Sequence, residues 1–396
     1  MHRPSPAQRF SGGQPGAHGI DPATLSCAPT TPLSYERYRE SRYFPSLDGL
    51  RALAILAVIW HHSSPVQVLG VLGRGHLGVR LFFAISGFLI TELLLSEARA
   101  GQIRLSAFYA RRAARLLPLY YVVLLAFTCY AYLLDPGSAQ RQHFFQSLPF
   151  YLTHTANWFV HYAVGHPILF AFAWSLSAEQ QFYALWPPLV ALCRRLAPAG
   201  YRTWLALIAC ALIGVDQLAE RGLFEVWLPA RSVAWEIVTS FIASLGFGAL
   251  LACLLDEPKV FPWLRALLGQ RWSAPLLALA VAGLVVSPPS AFVLFELLLA
   301  ALVASSALGP QFELQRLLSL PWLRHVGQVS YGMYLLHVPL LGLLRKLPLL
   351  GASTALTFSL GAGLSVVVAS LVERSFERPI RNWVKQRQAV ALTRSP

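Results

Sequence analysis

Charge is scarce in this 396-residue chain: Asp, Glu, Lys and Arg together make up 13% of it, where an ordinary soluble domain carries roughly 25%. That shortage excludes a string of water-soluble domains, and an apolar share of 56% takes its place. Acidic residues are the scarcer sign, 18 against 32 Lys and Arg, giving a formal net charge of +14. The surplus is not the footprint of a nucleic-acid binder, because the arginines stand in short runs beside apolar segments instead of on a separate basic domain. Cysteine is also sparse. Cys27, Cys129, Cys193, Cys210 and Cys253 are dispersed, mostly within apolar stretches, and lack the close Cys/His spacing of a metal or redox site, so no metal is expected. No repeat of roughly 20 to 50 residues is visible. Residues 1–43 are rich in Pro, Gly, Ser and Ala and lack the apolar core of a cleaved leader; they are expected to form a disordered cytoplasmic tail.

What the chain has instead is apolar runs, many close to the roughly 20 residues that span a bilayer. Between charged or Pro/Gly breaks they fall at 47–64, 76–97, 114–134, 170–193, 203–219, 232–255, 272–288, 290–308, 324–345 and 352–373. The expected fold class is therefore an all-α integral membrane protein with about ten transmembrane helices in one bundle. Segment 144–164 is apolar too, but it contains Pro149, His154, Asn157 and His161. It is expected to be a re-entrant or interfacial helix, because counting it as a span would move the later arginine clusters to the outer side. With both termini cytoplasmic, Arg104, Arg111, Arg112 and Arg115 fall inside, as do Arg194, Arg195, Arg202 and the basic residues of 374–387, in keeping with the positive-inside rule. Arg345 and Lys346 fall outside and run against it.

Polar residues within these runs are the candidate site. In "LDGLRALAILAVIWHH" (Leu47–His62), Arg51 and His62 are eleven residues apart; at about 100° per residue that brings both to one helix face, about 16 Å apart along the axis. His61 points roughly 80° away. "HLGVRLFFAISGFLIT" supplies Ser86 and Gly87, small residues that permit close helix contact. "FYARRAARLLPLYY" places Arg112 and Arg115 three apart, a guanidinium pair suited to phosphate, just ahead of Pro118. "WSLSAEQQFYALWPPL" buries Glu179 in an apolar run, where a carboxylate needs a partner or a purpose. "VGQVSYGMYLLHVPLL" sets Ser330, Tyr334 and His337 along one face as a polar stripe. Each of these residues also has a plain structural explanation, from snorkelling arginines to interhelical hydrogen bonds, and Glu236 and Glu296 are read that way.

Taken in order, "SLDGLRALAILAVIWHH", "GVRLFFAISGFLIT", "FYARRAARLLPLYY", "WSLSAEQQFYALWP", "GQVSYGMYLLHVPLL" and "SFERPIR" resemble the membrane-bound acyltransferase 3 family over residues 44–383, leaving 384–396 as a basic cytoplasmic tail. The resemblance implies that Arg51 and His62 match that family's basic residue and histidine with ten positions between, that Arg112 and Arg115 match its paired arginines, and that Glu179 matches its buried glutamate. It implies transfer of an acyl group, usually acetyl from acetyl-CoA, to a hydroxyl of a glycan, lipid-linked sugar or small metabolite. Arg80 departs from the aspartate of many members. The carboxy-terminal hydrolase-like domain of some members is absent from this sequence, so the chemistry is expected to finish in the membrane domain.

In that reading the acyl-CoA phosphates meet Arg51, Arg112 and Arg115. His62 serves either as general base or as transient acyl carrier, and Glu179 orients the imidazole or stabilises its charged form. Ser86, Ser330, Tyr334 and His337 line the polar pocket. Expected partners are the bilayer of a bacterial-type inner membrane, acyl-CoA and a glycan acceptor, whether exopolysaccharide, lipopolysaccharide sugar or another envelope glycan; the oligomeric state stays open. The rival reading is a transporter or flippase of lipid-linked glycans, since polar residues in a helix bundle also line substrate paths.

Overall fold

A computed structural model describes residues 33–41, 43–63, 70–160, 168–229, 232–240, 242–285, 292–309, 312–347 and 353–393. Among them there is helix and no strand. A short α1 (Tyr35–Glu40) precedes α2 (Pro45–Ser63), α3 (Gly78–Arg99) and α4 (Leu105–Tyr132). Two short helices, α5 (Ala139–Leu152) and α6 (Ala156–Phe159), lead to α7 (Ala173–Leu196), α8 (Tyr201–Glu220), α9 (Val233–Thr239) and α10 (Ala243–Asp256). Then come α11 (Phe261–Leu268), α12 (Ser273–Leu284), α13 (Phe292–Leu308), α14 (Glu313–Leu318) and α15 (Pro321–Gln328). The chain closes with α16 (Ser330–Leu344), α17 (Thr354–Val372), a π-helical turn at Glu373–Glu377 and α18 (Arg378–Thr393). Serine hydroxyls mark several starts: Ser34, Ser138, Ser232 and Ser353 each accept from the backbone N–H three residues on, satisfying one of the donors a helix N-terminus leaves open.

Helix α3 is the hub. Its apolar window is 78% buried, whereas that of α8 is only 17% buried. The crossing of α3 with α10 is set by glycine on both sides: a Cβ on Gly87 would lie 2.2 Å from the Leu245 carbonyl, and one on Gly248 2.2 Å from the Ala84 carbonyl. Backbones meeting this closely bring Ser86, beside Gly87, into the bundle interior, and small residues at such a contact are what a bilayer-embedded interface favours. On the outside, Leu125, Leu207, Leu276, Leu279 and Val367 are exposed. Apolar side chains covering the outer faces of several helices are stable against lipid and unstable against water.

By length and apolarity, Arg74–Arg99, Leu105–Tyr132, Tyr201–Glu220 and Thr354–Val390 can cross a bilayer, and the bent pair Phe261–Leu268 and Ser273–Leu284, angled at 70°, adds a fifth if it is one span. This is a multi-pass helical membrane protein. The ten expected crossings rest on the sequence pattern, not on that criterion. Helices α2 and α7 cover the expected spans 47–64 and 170–193, and they carry the polar side chains of the candidate site. Expected span 232–255 is divided between α9 and α10.

The edges of the chain carry more helix than expected. Residues 33–41, assigned to a disordered tail, are folded: the Tyr38 side chain is fully buried and donates to Glu92 at 3.0 Å, and Tyr35 donates to the Asp256 carbonyl at 2.8 Å. Those acids belong to a buried ion network in which Arg99 bonds both Asp256 and Glu92, and Arg202 bonds Asp256 at 2.6 Å. The rest of the expected tail, 1–32 and 42, lies outside the described residues. The basic tail expected at 384–396 is helical as far as Thr393, as the continuation of α18, and 394–396 lie outside the described residues. Pro118 sits inside α4, so Arg111, Arg112 and Arg115 occupy the same helix as the apolar run that follows.

The segment expected to be re-entrant or interfacial is a broken helix packed on α4. Tyr120 and Tyr121 donate to the carbonyls of Tyr151 and Leu152 at 2.8 and 3.1 Å. His154, at φ 54°, interrupts the helix. Residues 161–164 of that segment lie outside the described residues.

Candidate active site

A groove of about 540 Å³ and a smaller inner cavity of about 60 Å³ share one wall. Arg51 of α2, Arg112 and Arg115 of α4, and Tyr331 of α16 line both. Arg112 and Arg115 share a wall because they are three apart on a continuous helix. Arg112 is steadied by aromatic faces, its guanidinium 5.7 Å from the Phe108 ring and 5.3 Å from the Tyr183 ring, a cation–π arrangement. Tyr331 ties α16 to α4 by donating to the Leu116 carbonyl at 2.6 Å.

The charge on this wall is uncompensated. Elsewhere, arginines at similar depth carry a carboxylate: Arg80 pairs with Glu296, Arg99 and Arg202 with Asp256, Arg111 with Glu97 and Arg381 with Glu373. The first of these pairs accounts for both the unusual Arg80 and the structural reading of Glu296. Among the described residues, Arg51, Arg112 and Arg115 have no carboxylate oxygen within 4.0 Å, although all three are half-buried. Guanidinium groups withdrawn from water without a counter-charge are costly, and a bound anion is the natural remedy.

The inner cavity also gathers Ser86, Glu179, Ser330 and Tyr334. Glu179 Oε1 accepts from both Ser86 and Tyr183, and the two hydroxyl oxygens are 3.2 Å apart. Tyr183 was not anticipated, although its position one helical turn beyond Glu179 is the spacing at which side chains on a helix meet. Sequence reasoning set Glu179 to orient the His62 imidazole or stabilise its charged form; the partners its carboxylate has here are these two hydroxyls of α3 and α7. Gln181 has a different task, pairing with Asn157 at 2.8 and 3.0 Å to fix α6 against α7.

His62 lines neither the groove nor the inner cavity. It is reached along the α16 stripe: Ser330 and Tyr334 face the cavity, Tyr334 Oη hydrogen-bonds Ser175 Oγ at 2.6 Å, and His337 lies one turn deeper. The His337 ring is centred 4.9 Å from that of His62. Both imidazoles bind a backbone carbonyl through Nδ1, His62 to Val58 at 2.9 Å and His337 to Tyr334 at 2.7 Å. A carbonyl can only accept, so each Nδ1 carries the proton and each Nε2 keeps its lone pair. Arg345, the residue at odds with the positive-inside pattern, donates to the His62 carbonyl, satisfying one of the acceptors that the end of α2 leaves open. Helix α2 thus connects the arginine wall, through Arg51, to the paired imidazoles, through His62. The His61 ring sits between two others, 5.1 Å from that of His76 and 5.2 Å from that of His62.

Over residues 44–374 the chain matches the acyltransferase domain family Acyl_transf_3. It is 27% identical to the peptidoglycan O-acetyltransferase OatA of Listeria monocytogenes, over 86% of this chain and 56% of that protein. It is 29% identical to YrhL of Bacillus subtilis, whose name proposes the same activity, over 88% of this chain and 56% of that one. The chain thus spans a little over half the length of the curated relatives it matches. No solved structure matches it. With the six motifs in order and most of its length within the matched region, the chain belongs to the acyltransferase 3 family.

Proposed function

We propose that the protein is a membrane O-acyltransferase that moves an acetyl group from acetyl-CoA to a hydroxyl of a cell-wall glycan. The observation that carries this reading is the wall of three half-buried arginines without carboxylate partners, open to a groove on one side and a polar cavity on the other. Phosphates of the donor supply the missing negative charge, and bidentate contacts from guanidinium hold them in one orientation. The glycan acceptor is supported by the name of the Listeria relative.

In the reaction, the acceptor oxygen attacks the thioester carbonyl; the C–O bond forms as the C–S bond breaks. The hydroxyl proton passes to His62 Nε2, the lone pair left by the Nδ1 contact to Val58, and then to the departing thiolate. His337 and Tyr334 connect that base to the cavity. Ser86 and Tyr183 hold the Glu179 carboxylate beside the arginines. The bundle crosses the membrane ten times, with both termini and the groove on the cytoplasmic side, where acyl-CoA is made.

The test is CoA release by purified protein supplied with acetyl-CoA and peptidoglycan fragments. Acceptor-stimulated release with acetylated glycan supports the reading. Movement of glycan across a proteoliposome membrane without CoA release overturns it.

A further inference from the structure

Helix α18 lies beyond residue 374, where the family match ends, yet it forms a wall of the groove through Arg381, Val384 and Lys385. It is fixed there. Gln388 donates to the Ala107 carbonyl of α4 at 3.2 Å, and Arg381 is clamped by Glu373 at 2.5 Å and Glu377 at 3.2 Å. Those carboxylates neutralise Arg381, as Glu97, 2.9 Å away, neutralises Arg111. The groove cations with no carboxylate within 4.0 Å among the described residues then fall into two sets. Arg51, Arg112 and Arg115 form the wall shared with the cavity. Lys385 is exposed and lines the groove alone, one of only three lysines in the chain.

We infer that Lys385 binds the ribose 3′-phosphate of the CoA donor at the rim of the groove, while the arginines hold the diphosphate. The assignment rests on the donor reading above. CoA carries its negative charge at two places, the diphosphate between pantetheine and nucleotide and the phosphomonoester on the ribose. With the thioester directed into the cavity, the diphosphate meets the shared wall, and the 3′-phosphate is what remains outside it. A phosphomonoester carries a charge of about −1.5 to −2 at neutral pH. An ammonium group meets it as a compact point charge, without imposing the planar geometry of an arginine fork. At an exposed rim this contact is modest and screened by salt, so it acts as a selectivity contact and not as the main anchor.

The full-length protein in detergent micelles at low ionic strength is titrated calorimetrically with CoA and with 3′-dephospho-CoA. Wild type is expected to bind CoA about fivefold more tightly than the dephospho form, the ratio a surface ion pair supports. Lys385→Ala should bind both ligands with the wild-type affinity for dephospho-CoA, and Lys385→Arg should keep most of the preference. An unchanged preference in Lys385→Ala overturns the assignment, and so does an equal loss for both ligands, which would mean that the residue shapes the groove. Wild type binding both forms equally overturns this assignment alone. Wild type binding neither removes the donor reading with it.

Discussion

His337 faces His62 with ring centroids 4.9 Å apart, and each ring is held through Nδ1 by a carbonyl of its own helix. Each helix therefore fixes one ring through Nδ1 and leaves its Nε2 lone pair free, and it is His62, not His61, whose ring meets that of His337. His62→Ala should lower acetyl transfer by on the order of 10² to 10⁴, the range for loss of a general base. His61→Ala should cost little. Turnover assays at matched membrane levels decide: equal damage from both substitutions would sink the assignment.

Replacing arginine by lysine keeps the charge and removes the fork. Arg112→Lys and Arg115→Lys should each weaken acetyl-CoA binding by about tenfold, the equivalent of roughly 1.4 kcal/mol. Arg111→Lys, at a residue already paired with Glu97, should change affinity much less. Calorimetric titration in detergent separates these outcomes, and equal affinities throughout would remove the arginine wall from the donor site.

The α3–α10 crossing leaves no room for a side chain. Gly248→Val pushes a Cβ to 2.2 Å from the Ala84 carbonyl, whereas nothing lies within 4 Å of a Cβ at Gly283. Overpacking of this kind costs typically about 1–3 kcal/mol. Thermal unfolding in detergent should show a clear loss for Gly248→Val and almost none for Gly283→Val.

The folded segment before α2 should register in stability. Tyr38→Phe removes a buried hydrogen bond to Glu92, worth about 1 kcal/mol. Asp256→Ala removes the carboxylate that Arg99 and Arg202 share, leaving Arg99 only Glu92 and Arg202 only Glu257, and should cost about 3 kcal/mol, the low end for breaking a buried ion pair from one side. The same unfolding assay ranks the two, and a larger effect from Tyr38→Phe would contradict the network as described.

The proposed topology predicts that a cysteine introduced at Gln386, one residue beyond the groove-lining Lys385, is shielded from an impermeant thiol reagent in intact cells and reacts after the membrane is opened. Labelling from outside would reverse the orientation of the groove.

Sequence by itself determined the membrane setting, the helices and the shared face of Arg51 and His62, because hydropathy and a 3.6-residue period are local properties. It also brought Arg112 beside Arg115 and Ser330 into line with Tyr334 and His337, for the same reason. What only the tertiary structure decided is which charges meet. Arg80 and Glu296 are 216 positions apart and form an ion pair; Glu179 turns to Ser86 and Tyr183 instead of His62; Tyr38 and Lys385, both in segments expected to be tails, take places in the packed network and the groove wall. Such pairings depend on how helices cross. That is fixed by the approach of Gly87 to Leu245 and Gly248 to Ala84, a relation between distant segments that no local pattern encodes.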